Sequence, residues 1–253
     1  MNLKHQGIII FIALFAFSLK AQLISFGIES NSDSQPFKTG NDVISFMHQK
    51  YFQAPCKSYT FSQKNTHYKN DSITGNSEWH EYIEFPDKFR IDFGKTEDGN
   101  FVIFKNDSSY RYKNHQLKKK DGNTNTLLLL LGGMYYRDLK DVIIRLEKEH
   151  YNTQIVSSQK WNKHQAYVIG ALAGDTLSNQ IWIDKKTWRV VRIIEKMDMD
   201  NYMDMFFESF QKNCNGYIET KVIFKRNGKI EQMEEYYNIS PIDKFATEVF
   251  NPK

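Results

Sequence analysis

The residues able to do chemistry are spread thinly along this chain, and few of them stand at a spacing that chemistry needs. Its histidines, from His5 to His164, occur singly, with no two at the spacing of a metal-ligand pair. Asp198, Asp200 and Asp204 form the one dense acidic group. The glycine and closing glutamate of a calcium loop are missing from it, so it reads as a solvated hairpin turn. Glu78, His80 and Glu81 are of types suited to acid–base work, but alternation places them on a solvent-facing strand. Lys118-Lys119-Lys120 would suit anionic lipid headgroups, and fits a solvated hairpin ahead of Asp121-Gly122 better. No nucleophile elbow, phosphate loop, zinc-protease helix or dinucleotide fingerprint occurs. The expectation is therefore no metal, no cofactor and no enzyme. Cys56 and Cys214 have no CxxC spacing and no neighbouring histidine pair. Two states stay open for them: a pair of free thiols, or one long-range staple contributing on the order of 5 kcal/mol in the chain-entropy model.

Any such residues must be positioned by a core made from packing. The chain has 253 residues, 40% of them hydrophobic, with 19 Phe, 14 Tyr and 4 Trp. That excludes a disulfide-scaffold miniprotein and a disordered tail protein. A formal net charge of +4 is too small to argue for nucleic acid, and none is expected as a partner. Lys4 leads into the apolar run Gly7–Leu19, which closes at Lys20-Ala21. This is the pattern of a secretory signal over residues 1–21, and it is too short to span a bilayer comfortably. Cleavage after Ala21 would remove two lysines and no acids, leaving +2 and a first residue Gln22 that cannot carry a lipid anchor. A soluble exported monomer follows, with a polar segment at 22–40 before the folded part. Export into an oxidising compartment would permit the staple between the cysteines and leaves two free thiols equally open.

The folded part reads mostly at period two. Residues 41–53 suggest a first helix with Val43, Phe46, Met47 and Tyr51 on one face, capped by Asn41 or Asp42. Strands follow at 59–63, 79–85, 89–93, 101–104 and 110–112, and again at 166–169, 180–184, 188–197, 203–210, 217–225 and 230–239. Asn227-Gly228 is the strongest hairpin signal, because both positions of a type I′ turn need positive φ. One segment breaks the alternation. Leu127–Leu131 is apolar on every side, and Leu139, Val142, Ile143 and Leu146 then mark an amphipathic helix capped by Asp138. Such an insertion must lie against the sheet, either as a core helix or as a lid jointed at Gly132-Gly133.

The order of these elements resembles the periplasmic outer-membrane lipoprotein carriers, the LolA-like family. The likeness rests on Phe61-Ser62-Gln63, on Glu84-Phe85-Pro86-Asp87-Lys88-Phe89-Arg90, on Asp98-Gly99-Asn100 and on Asn125-Thr126 before the leucine run. It continues in Trp182-Ile183-Asp184-Lys185-Lys186 and in the ending Val249-Phe250-Asn251-Pro252. The resemblance implies a mainly β fold over residues 41–253. That fold is an unclosed antiparallel barrel of about ten or eleven strands, with helices at about 125–150 forming a lid over its concave apolar face. It implies a periplasmic carrier of lipoprotein acyl chains or another lipid, served by an inner-membrane exporter and an outer-membrane acceptor. An envelope sensor of the same fold, holding a protein partner, is the alternative. The candidate cavity residues are then Trp79, Ile83, Phe89, Ile91, Phe93, Val191, Ile193, Met205 and Phe207, under a lid carrying Leu128, Leu131, Met134 and Tyr135. One departure stands out. The proteobacterial carriers place a lid-latching arginine directly before the proline of the paired strands, where this chain has Phe85; Arg90 occupies a different position on the next strand.

Overall fold

A computed structural model describes residues 37–122, 125–199 and 201–252. The expected signal at 1–21 and nearly all of the polar segment at 22–40 lie outside the described residues. Within them the chain forms three α-helices: α1 (Gly40–Tyr51), α2 (Thr126–Leu130) and α3 (Leu139–Lys148). The first run of strands is β1 (Ser58–Lys69), β2 (Ser72–Glu84), β3 (Lys88–Phe93), β4 (Phe101–Lys105), β5 (Ser108–Lys113) and β6 (Gln116–Asp121). The second is β7 (Val156–Trp161), β8 (His164–Ile169), β9 (Gln180–Asp184), β10 (Val190–Lys196) and β11 (Tyr202–Glu208). After it come the small hairpin β12 (Gln211–Asn213) and β13 (Gly216–Ile218), then β14 (Lys221–Arg226) and β15 (Lys229–Pro241). None of the helices among the described residues is long and apolar enough to cross a membrane.

Thirteen of these strands make one antiparallel sheet, ordered β6-β5-β4-β3-β2-β1-β15-β14-β11-β10-β9-β8-β7. The first strand pairs with the last, Asn65 opposite Glu234, which joins two meanders into one curved sheet without closing it. The open edges are β6 and β7. The segment between them, carrying α2 and α3, joins one edge of the sheet to the other, and this topology lays it across one face. Lysines on β6 blunt its unpaired edge, and the Lys118–Lys120 run lies on the solvated outer strand of the β5–β6 hairpin.

Local signals explain the helix ends. Thr39 caps α1 in a reciprocal box with Asp42, whose side chain accepts from the Thr39 amide at 2.8 Å. Those amides hold the Asp42 carboxyl below its ordinary range. Asn125 accepts from the Leu128 amide at 2.8 Å, and Asp138 caps α3. Both residues of Asn227-Gly228 have positive φ, 49° and 80°, as a type I′ turn requires.

The core lies between the helices and β8–β11 with β14. Val43 and Met47 of α1 and Val142 and Leu146 of α3 meet Ile169, Ile181, Ile193, Met205, Phe207 and Phe224 of the sheet. On the opposite face of β2–β5 the chain end returns, and Phe250 packs with Phe101 and Ile103. Arg90 belongs to that outer face. It donates to the Val249 carbonyl at 2.9 Å, pairs with Asp92 at 2.7 Å and stacks on Phe101 at 4.0 Å, so it fastens the tail and faces away from the helices.

Candidate functional site

The helix-bearing face divides into three zones along the strand order. The first, on β8–β11 and β14, is apolar and covered. Ile193 is fully buried there, with Met205 and Phe207 beside it, beneath Leu129, Leu130, Met134 and Tyr135 of the cover. The cover is held by polar ties at its rim. His48 Nε2 lies 2.8 Å from the Arg137 carbonyl, the Tyr136 hydroxyl donates to the Pro55 carbonyl at 2.6 Å, and Arg145 reaches Asp107 at 2.6 Å on the β4–β5 turn.

Phe85 sits at the inner end of this cover. It is buried, stacks on Tyr136 at 5.9 Å, and shares a cluster with Tyr59, Phe61, Ile83 and Leu128. A Cβ added to Gly132 would collide with its ring, and one on Gly133 would meet the carbonyls of Leu128 and Pro86 at 2.7 and 2.8 Å. The two glycines, read from the sequence as a flexible joint, are buried close-packing positions. Directly before Pro86, this chain seats the cover on an aromatic ring.

The middle zone is polar and buried, on β15, β1 and β2. Gln63 donates to Asn65 Oδ1 at 2.6 Å, Gln232 donates to Asn65 Oδ1 at 3.1 Å and to Glu234 at 2.7 Å, and Tyr236 donates to Glu234 at 2.7 Å. Glu81, read from alternation as solvent-facing, is only 4% exposed. It falls on this face through its register opposite Phe61 and Ile91. Burial pushes its carboxyl well above the ordinary range, and nearby Glu234 and Glu219 push it further. Burial likewise raises Glu234 to about 7, against hydrogen bonds from Tyr236, Gln232 and Gln63. Glu219 rises to about 8 for the same first reason. His80, next to Glu81 in sequence, lies on the other face, its Nδ1 3.2 Å from Ser62 Oγ. Neighbours on a strand cannot act together across a sheet, so this pair makes no acid–base couple.

The third zone, on β2–β4, is apolar and open. Trp79, Phe89, Ile91 and Phe93 are half-buried, Trp79 and Phe93 touch edge-to-face at 5.1 Å, and Phe89 stacks on Phe104 at 5.9 Å. The leucine segment reaches Ile83 and the side of Phe89 and contributes to no cluster with the other three.

Twelve of the thirteen apolar residues picked from the sequence therefore lie on this face or in its cover, split between a sealed zone and an open one. Val191 does not. It packs with Trp182, Ala166 and Val168 on the opposite face, because an irregularity between Val190 and Arg192 breaks the alternation that should have grouped it with Ile193. Asp204 departs from the reading of a solvated turn: it is buried on β11 and held by Arg192 at 2.7 Å. Cys56 and Cys214 form a disulfide across 158 residues, with Cα atoms 5.1 Å apart, clipping the β12–β13 hairpin to the chain after α1. Sequence reasoning missed Arg189, Glu219 and the Gln63–Asn65–Glu234 belt; polar side chains at alternate strand positions carry no sign of which face is buried.

Two clefts enter beside the cover, with cavity volumes of about 20 and 40 Å³. Ligand pockets run to roughly 300–1,000 Å³. Ile193, Met205 and Phe207 are buried against Leu129, Leu130 and Met134, so the covered zone is a packed core with the cover in place.

No protein-family model matches the chain, and no curated protein matches its sequence. Solved structures do match its fold. One is a DUF1329 family protein from Desulfovibrio piger, 14% identical, with a TM-score of 0.58 over 84% of this chain and 96% of that one. A second is a LolA superfamily protein from Nitrosomonas europaea, 10% identical, TM-score 0.55, covering 84% and 97%. A third is a domain assigned to outer membrane lipoprotein sorting from Vibrio parahaemolyticus, 9% identical, TM-score 0.57, covering 82% and 94%. The fold is LolA-like: a single large antiparallel sheet, not closed, with helices over one face.

Proposed function

We propose that this protein is a periplasmic carrier that binds acyl chains of lipoproteins, or of another lipid, and delivers them towards the outer membrane. The observation that carries this reading is the open apolar zone, where Trp79, Phe89, Ile91 and Phe93 stay half-exposed beside a face that is otherwise sealed. Burial of a methylene contributes about 0.8 kcal/mol, so one chain laid along these rings gains useful affinity without a closed cavity. The sorting domain with the same fold supports the substrate class. In this reading the open zone takes the first part of the chain. Leu128, Leu131, Met134 and Tyr135 move with the cover, and Ile193, Met205 and Phe207 become available only when it lifts. An inner-membrane exporter and an outer-membrane acceptor are the partners this implies. The work is binding rather than catalysis.

A second reading is favoured by the packed state of the covered zone and by Phe85 seating the cover. An envelope sensor of this fold would use the open zone for a protein partner and would never lift its cover.

Mass spectrometry of the protein purified gently from envelopes, together with uptake of a fluorescent fatty acid, separates the two. The carrier yields bound lipid and saturable uptake, and Ile91→Asp abolishes both. A protein with no co-purifying lipid and no uptake is not a carrier. A complex in an envelope pull-down that Ile91→Asp destroys would then identify the sensor.

A further inference from the structure

The larger of the two clefts lies where the end of α1, the end of α2, the β9–β10 turn and the β12–β13 hairpin come together, and it holds a cation without an anion. Arg189 lines it, with its guanidinium 3.5 Å from the centre of the Tyr217 ring and 5.0 Å from that of Phe210. Its Nε is buried and has no hydrogen-bond partner, and among the described residues Arg189 makes none of the ion pairs. The rest of the lining is largely apolar or aromatic, with Tyr51, Leu131, Tyr135 and Trp188 around the arginine. Glu219 lies in the same lining, but burial raises its carboxyl to about 8, so at neutral pH it is mostly protonated and does not serve as counter-charge. An arginine flat on aromatic rings and short of one planar partner is preorganised for a carboxylate or phosphate.

The hairpin wall is fixed. The Cys56–Cys214 disulfide and the Asn215 amide bound to the Ala54 carbonyl at 2.9 Å press the hairpin onto the chain after α1. Gly216 sits so close that a Cβ there would meet the Pro55 backbone at 2.9 Å. The cleft's volume of about 40 Å³ has room for roughly three waters or one small anionic group, and none for a whole acyl chain.

We propose that this cleft binds the anionic head, carboxylate or phosphate, of a small amphiphile, with Arg189 as its cationic ligand and the aromatic rim against its apolar body. The cleft shares Leu131 and Tyr135 with the cover but no residue with Trp79, Phe89, Ile91 and Phe93, and Arg189 has no part in the acyl-carrier reading, so the two are tested apart.

The test is isothermal titration of the purified protein with octanoate and with octyl phosphate. Octyl glucoside serves as the uncharged amphiphile and inorganic phosphate as the bare head. At least one anionic amphiphile is expected to bind, and the tighter of the two assigns the head as carboxylate or phosphate. Octyl glucoside and inorganic phosphate should each bind at least about tenfold more weakly. Arg189→Gln should weaken the anionic amphiphile by about tenfold or more, the loss expected for a buried charge-assisted hydrogen bond. Glu219→Gln should leave it within about twofold. In the unsubstituted protein, the Arg189 Nε–H resonance should shift as octanoate or octyl phosphate is added. The proposal is overturned if neither anionic amphiphile binds, if octyl glucoside or inorganic phosphate binds as tightly, if Arg189→Gln changes nothing, or if that resonance does not move.

Discussion

The helix-bearing face of this sheet is built twice over with the same residue types and to opposite ends. On β8–β11 and β14 the inward isoleucines, methionines and phenylalanines meet a second layer and are fully buried, which makes them a core. On β2–β4 the equally apolar Trp79, Ile91 and Phe93 join no cluster with the cover, and they remain half-buried. Between the two lies a belt of buried amides and carboxyls on β15, β1 and β2. The difference teaches that apolar character alone does not mark a binding surface in a fold of this kind. What marks it is the reach of the cover, which stops at Phe85, Ile83 and the side of Phe89.

The sharpest way to break this comparison is to remove one ring from each zone. Phe207→Ala in the sealed zone is expected to cost roughly 3–5 kcal/mol in urea unfolding, because a dry cavity is left behind. Phe93→Ala in the open zone should cost less than about 2 kcal/mol, since part of its surface is already wet. Equal losses would mean that both zones are core. The polar belt comes next. Glu234 and Glu219 have pKa values raised to about 7 and about 8 in the folded protein, against 4.5 for an unperturbed glutamate. The folded state therefore holds their protons more tightly than the unfolded one. Their contribution is complete below about pH 4.5 and is lost as pH rises through 7 to 8. The unfolding temperature should fall across that window, and the double variant Glu219→Gln, Glu234→Gln should flatten the fall; a profile that rises instead would refute the assignment. Gly132→Ala tests the boundary of the cover, and an expected loss of about 1–3 kcal/mol should be partly recovered by Phe85→Leu in the same chain. The smallest effect belongs to the rim. Asp107→Asn removes an exposed ion pair with Arg145 and should change stability by less than about 1 kcal/mol.

Much of this was legible from side-chain pattern where burial imposed one. The end of β2 and all of β14 alternate because one face is covered, and Asn227-Gly228 and Asp138 announce a turn and a cap by their own chemistry. The sheet nevertheless has more strands than the ten or eleven expected. The two extra strands are β6, mostly charged, and β7, polar through Ser157–Lys160, and the extensions of β1 and β2 through Asn65–Lys69 and Ser72–Ser77 are polar as well. Such segments are held by backbone pairing and leave no trace in hydropathy. The candidate site was legible as a list of apolar residues and illegible as a geometry. Which of them stay open depends on where the leucine segment comes to rest, and Val191 was lost to a single irregularity in β10. Arg189 could not be found at all, because a cation without a partner is a fact about space rather than spacing.

The connection between the two edge strands has a mechanical consequence. It is the string of a bow whose stave is the sheet. Flattening the sheet moves β6 and β7 apart and lengthens the chord that the residues between Asp121 and Val156 must span. A helix advances only about 1.5 Å per residue, whereas extended chain covers about 3.3 Å, so the helical turns of α2 and α3 are reserve length beside the non-helical stretches of the string. Curvature of the sheet and the span of the string are therefore coupled, and whatever grips the string sets how wide the bow can be drawn.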